Sequence, residues 1–217
     1  MRRGNPPFFI NIFITQSTRI LGVLTMPLWG KTTSDESKPK YLDRVNKNGL
    51  LEDCFATEQG WVLRHYKGTD KATARYWDEL LVAIGGLAGG QSNSDDLGFA
   101  NITAVFFEQE ALSQGDTGTV VVIYNEQVDA AAPVTLVVTG SVTGPITATY
   151  ARGTGTNRLE FDFTVPSQAE VLSIADQTIG GAGEVTDRAT SVTSQDAFAG
   201  KTIGAGGSGT DLTLTIS

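Results

Sequence analysis

Apolar and polar residues alternate through the second half of this chain with the period of a β-strand. The clearest run is 159–165, Leu-Glu-Phe-Asp-Phe-Thr-Val. Leu159, Phe161, Phe163 and Val165 share one face, and Glu160, Asp162 and Thr164 share the other. That is the half-buried strand of an antiparallel sheet. Further strands are expected at 102–107, 119–124, 134–138, 146–150, 171–175 and 212–216. Turn-forming groups separate most of them: Ser113-Gln114-Gly115-Asp116, residues 129–133, Thr143-Gly144-Pro145 and residues 153–157. Short strands with regular Gly, Pro, Asn and Asp punctuation predict an immunoglobulin-like β-sandwich over 99–217. Within it, 176–210 is rich in Gly, Thr, Ser and Asp, and edge strands or a long loop fit that composition equally.

The first half reads differently. Gly60-Trp61-Val62-Leu63-Arg64-His65-Tyr66 alternates, 67–71 has turn composition, and the chain returns through 76–84. This predicts a β-hairpin in a small β domain over 55–90. A helix over 72–84 competes, because Tyr76, Leu80 and Ile84 recur at i, i+4; the hairpin is preferred. Residues 85–98 are small and polar, the composition of a linker, and the domain boundary is placed at 91–98. Upstream, 26–54 reads as an extended arm with Lys31, Lys38, Lys40, Arg44 and Lys47, two prolines and no apolar period. Before it, Arg2 and Arg3 precede Phe8-Phe9-Ile10-Asn11-Ile12-Phe13-Ile14, which has the outline of a signal peptide but is too short to span a bilayer. A translation start at Met26 is the preferred reading of 1–25.

Composition sharpens this picture. The chain has 217 residues, long enough for a real core, with 40% apolar and 18% charged residues and 25 Gly. Charge divides it: 1–90 carry 12 Lys/Arg against 9 Asp/Glu, net +3, and 91–217 carry 4 against 15, net −11. The expectation is an acidic outward domain on a weakly basic base. No dense basic face with stacking aromatics occurs, so neither a nucleic-acid nor a membrane partner is expected.

Candidate chemistry is sparse. Cys54 is the only cysteine and His65 the only histidine. An internal disulfide and a four-cysteine zinc site are therefore impossible, and a Ser-His-Asp triad would depend on His65 alone. There is no Gly-x-Ser-x-Gly, phosphate-binding loop or His-x-x-x-His pair. Asp95-Asp96 and the carboxylates of 176–187 fit turns better than a calcium loop. The expectation is no catalytic residue, no cofactor and no metal. Aromatic residues that insert into a neighbouring subunit are the candidate site: Trp29, Tyr41 and Trp61.

Two resemblances carry these expectations further. Gly115-Asp116, Val120 through Val128, Ala132-Pro133-Val134-Thr135-Leu136, Ala148 through Val165 and Ile179-Gly180-Gly181 through Asp187 resemble the immunoglobulin-like modules of large bacterial surface and adhesin proteins. The similarity covers roughly 100–190; those modules occur in tandem, and here there is one. Pro27-Leu28-Trp29-Gly30-Lys31-Thr32, Ser37 through Leu42, Ala56 through Val62 and Glu79 through Leu87 resemble virion structural proteins of marine contractile-tailed phages, cyanophages included. That likeness implies a non-enzymatic particle component, a capsid decoration protein, with other virion proteins as partners. Its first half anchors, and its outward domain is available to a host cell-surface glycan. A tail, neck or baseplate component and a bacterial cell-surface adhesion module are the alternatives.

Overall fold

The computed structural model describes residues 39, 51–89, 97–109, 111–194 and 212–217. Every regular element among them is a strand: β1 (Cys54–Thr57), β2 (Gly60–Lys67), β3 (Arg75–Ala83), β4 (Ile102–Phe107), β5 (Thr117–Ala131), β6 (Val134–Gly140), β7 (Gly144–Arg152), β8 (Thr156–Thr164), β9 (Glu170–Ile174), β10 (Gly180–Gly181), β11 (Glu184–Asp187) and β12 (Leu212–Ile216). The protein is mostly β. The strands form one open mixed sheet in the order β12-β9-β6-β7-β8-β5-β1-β2-β3. β4 and β11 pair with β5, and β10 pairs with β6.

The alternation of 159–165 is realised in β8 and the residue after it. Leu159, Phe161, Phe163 and Val165 are all buried and belong to one large cluster. The same cluster takes Val120, Val122 and Tyr124 from β5, Leu136 and Val138 from β6, Leu172 and Ile174 from β9, and Leu214 and Ile216 from β12. One sheet can bring so many strands to a single core only by curling over on itself. Each of the four side chains of 159–165 contributes roughly 1.5–3 kcal/mol by leaving water.

β5 is the backbone of the fold. Its first half pairs with β4 on one side and β8 on the other. Its second half pairs with β11, and a parallel bridge from Glu126 to Ala56 joins it to β1. The polar stretch Asn125-Glu126 reads in sequence as a strand end, yet both residues are buried mid-strand. Asn125 explains how: its N–H donates to the Asn101 carbonyl at 2.9 Å, and its Oδ1 accepts from the Asn101 N–H at 2.6 Å. Polar residues whose backbone groups are paired in this way can run through a core without ending a strand.

The hairpin expected over 60–84 is present as β2 and β3, and the competing helix is not. Its apolar side closes a second cluster of Cys54, Ala56, Trp61, Leu63, Leu87, Ala88 and Leu97. Leu87 and Ala88 lie in the Gly-rich stretch of linker composition, but they are buried against the hairpin. Leu97, inside the expected linker 91–98, is buried with them. Gly60 is required where β1 turns tightly into β2: its φ is +131°, and a Cβ there would collide with the Val82 carbonyl of β3.

Glu170, at the start of β9, holds the β6–β7 turn. Its carboxylate accepts from the Val142 N–H at 2.9 Å, the Thr143 N–H at 3.0 Å and the Thr143 hydroxyl at 2.5 Å. The Thr143 hydroxyl bond is the main cause that lowers its pKa below the ordinary Glu value, with the two backbone N–H groups adding to it. A depressed folded pKa means a contribution that is complete above the unfolded pKa and lost as pH falls through the folded one. Glu170→Gln should therefore lower the melting temperature at neutral pH, with the gap to wild type closing in acid. Thermal melts across the acid range check this, and a constant gap would show that the charge is irrelevant.

Candidate functional site

β3 is unusual because, among the described residues, its first six positions are exposed on both faces of the strand. Arg75, Tyr76, Trp77, Asp78, Glu79 and Leu80 are consecutive and all exposed. Tyr76 and Trp77 are each 56% exposed and Leu80 is 47% exposed. The strand ends the sheet: β2 pairs with one side of it, and among the described residues no strand pairs with the other. A long edge with open N–H and C=O groups and exposed aromatics is a template for another chain.

Cross-strand contacts with β2 hold this edge rigid. Trp77 stacks on His65 with ring centres 5.1 Å apart, and Tyr76 meets Tyr66 edge-on at 6.4 Å. His65 Nε2 lies 2.7 Å from the Glu79 carboxylate. Arg64 makes a two-pronged ion pair with Asp78, both bonds 2.8 Å. Its guanidinium also lies 3.9 Å from the centre of the Tyr76 ring and 4.9 Å from that of Phe55. Burial works to lower the Arg64 pKa, but the Asp78 pair outweighs it and the net shift is upward. Arg64 therefore stays charged and pins the middle of β3.

Behind β3, a cavity of about 110 Å³ separates the hairpin from β7 and β8, lined by Arg64, Tyr66, Lys71, Arg152, Arg158 and Glu160 among others. Each of its cations has a carboxylate. Lys71 pairs with Asp53 at 2.7 Å, and Arg152 with Glu160 at 2.5 Å. Arg158 pairs with Glu160 at 2.8 Å and also with Glu108. Each of these ion pairs lies within the hairpin unit or within the long sheet, and with its charges so compensated the cleft leaves no spare positive charge for an anion. Asn157 links the long sheet to the residues that lead into β1: its Nδ2 donates to the Glu52 carbonyl at 3.0 Å and the Tyr124 carbonyl at 3.3 Å.

The expected anchor residues fall in different places. Trp61 is fully buried in the hairpin's own cluster, so it presents no ring surface to a neighbour and its contribution is to packing. Trp29 and Tyr41 lie outside the described residues. Trp77 is, among the described residues, the exposed tryptophan that sequence reasoning passed over. The available signal was its setting, Arg-Tyr-Trp-Asp-Glu, which mixes aromatics and charge on both faces of one strand.

No family model, no curated protein and no solved structure matches this chain. Its chemistry must therefore be read from its own side chains. Cys54 is buried in the hairpin cluster, and His65 is engaged by Trp77 and Glu79. Among the described residues, no group of three or more His, Cys, Asp or Glu is placed to hold a metal ion. Nor is any helix among them long and apolar enough to cross a membrane.

Proposed function

We propose that this chain is a non-enzymatic structural protein of a phage particle, a capsid decoration protein. Its N-terminal part anchors to the particle, and its second half is an immunoglobulin-like domain displayed outward. The observation that carries the reading is the uncovered aromatic edge strand β3 on the hairpin unit. Such an edge acts by adding strands and buried area between subunits, which is how a structural protein works.

The strand order supports the immunoglobulin-like domain. A constant-type domain has strands ABED in one sheet and CFG in the other. Taking β4, β5, β6, β7, β8, β9 and β12 as A to G, the pairings β4-β5-β8-β7 and β6-β9-β12 reproduce both sets. The parallel bridge from Leu112 to Ile216 ties the segment after the first of these strands to the last. Two departures stand beside it: β6 also pairs along β7, and the short β10 and β11 are inserted before β12. The net charge of −11 over 91–217 suits an outward, water-facing body, where weak contacts to a host surface glycan gain strength by repetition.

Quantitative mass spectrometry of purified particles tests the reading. Copies of this chain near the abundance of the major capsid protein are the expected result. A low copy number would move it to the tail, neck or baseplate, and complete absence would overturn the virion reading.

A further inference from the structure

We infer that the outer edge of β3 is occupied by a second copy of this chain, paired antiparallel about a two-fold axis through Trp77. The inference rests on the assembly reading above and names the partner of that edge. In a two-fold antiparallel pair, opposed residues share a face of the sheet, so the axis must pass through one residue. Each choice of that residue sets the opposed charges. An axis through Arg75, Asp78 or Glu79 sets that charged residue against itself, which is unfavourable. An axis through Trp77 sets Arg75 of each copy opposite Glu79 of the other, twice, with the two Trp77 side chains between them. On the other face it sets Tyr76 against Asp78. Trp77 is therefore the centre at which both charged ends are complementary.

The paired stretch is 75–79, and it accepts this register. Across 75–80, β3 follows β2 without interruption, and the irregularity in their pairing lies beyond, where Trp61 faces Val82 and Val62 faces Leu80. Residues 75–80 contain no proline and no lysine, two of the devices that keep edge strands from pairing. The exposed Trp77 and Tyr76 rings are already fixed by His65, Tyr66 and Arg64, so little side-chain freedom remains to be lost on pairing.

Sedimentation velocity on the full chain over a concentration series is the test. The wild type should dimerise. Glu79→Arg should weaken the dimer about tenfold or more, because two opposed pairs become like-charged at once. Arg75→Glu alone should do the same. The double exchange Arg75→Glu with Glu79→Arg should restore the dimer, since it rebuilds both pairs in the reversed sense. Both positions are exposed, so an unchanged far-ultraviolet spectrum should accompany each variant. A wild type that stays monomeric overturns the inference, as does a dimer that ignores Glu79→Arg or is not rescued by the double exchange. Particle mass spectrometry reads a separate quantity: absence from particles together with an intact, charge-sensitive dimer overturns the virion reading alone.

Discussion

Phe161→Asp should leave the long sheet unfolded at room temperature. Phe161 is completely buried in the middle of β8, opposite Val120 of β5 and Tyr150 of β7, and its ring meets that of Tyr150 edge-on at 6.0 Å. Its cluster is entirely hydrophobic, so a carboxylate there has no charge partner. The penalty of a buried unpaired ion is several kcal/mol, added to the about 3–5 kcal/mol lost when a buried Phe is cut back. Total stabilities of about 5–15 kcal/mol leave little after that. Calorimetry should show no cooperative transition for Phe161→Asp, and Phe161→Ala should melt cooperatively at a lower temperature. A Phe161→Asp protein that melts at the wild-type temperature would mean that β8 does not face the core.

The second large effect lies on the opposite face of the same strand. Arg158→Ala should destabilise the protein by about 3–5 kcal/mol, the usual consequence of removing one member of a buried ion pair. Arg158 is 7% exposed and Glu160 is 4% exposed. Burial works to lower the Arg158 pKa, but Glu108 and Glu160 more than offset it, so the guanidinium is held firmly charged. Removing it leaves Glu160 with Arg152 alone and Glu108 without its ion pair. Replacing both members together, Arg158→Met with Glu160→Leu, should recover much of the loss, because apolar groups of similar volume need no partner. Urea unfolding measures both variants. A loss below about 1 kcal/mol for Arg158→Ala would mean that water screens the cluster as it does a surface pair.

Much of the strand layout was legible because alternation is local. Strands expected at 102–107 and 212–216 coincide with β4 and β12, and those at 134–138, 146–150, 159–165 and 171–175 overlap β6 to β9. Where the reading fell short, a non-local contact was decisive. β5 runs on through Asn125 and Glu126 because Asn101 pairs with the Asn125 N–H and Oδ1 and β1 bridges the backbone at Glu126. The short β10 and β11 form inside a Gly-rich stretch because β6 and the far end of β5 are beside them. Leu87, one apolar residue among glycines, gives no periodic signal, yet it is wholly buried under the hairpin.

The candidate site shows the same limit. Trp61 and Trp77 are both aromatic residues in strands of one hairpin, and composition does not rank them. Trp61 packs among Cys54, Leu63 and Leu87, while Trp77, on the last strand of the sheet, is left on the surface.

By itself the sequence determined that this protein is built of strands, where most of them run, which face of β8 is apolar and how charge divides along the chain. Each follows from neighbours a few residues apart, through side-chain alternation and turn chemistry. Only the tertiary structure decided the strand order, the joining of the hairpin unit to the long sheet through the Ala56–Glu126 bridge and Asn157, and which strand has no partner on its outer side among the described residues. Those depend on pairings between residues far apart in the chain, whose stabilisation comes from water excluded jointly by several strands and is written in no single segment.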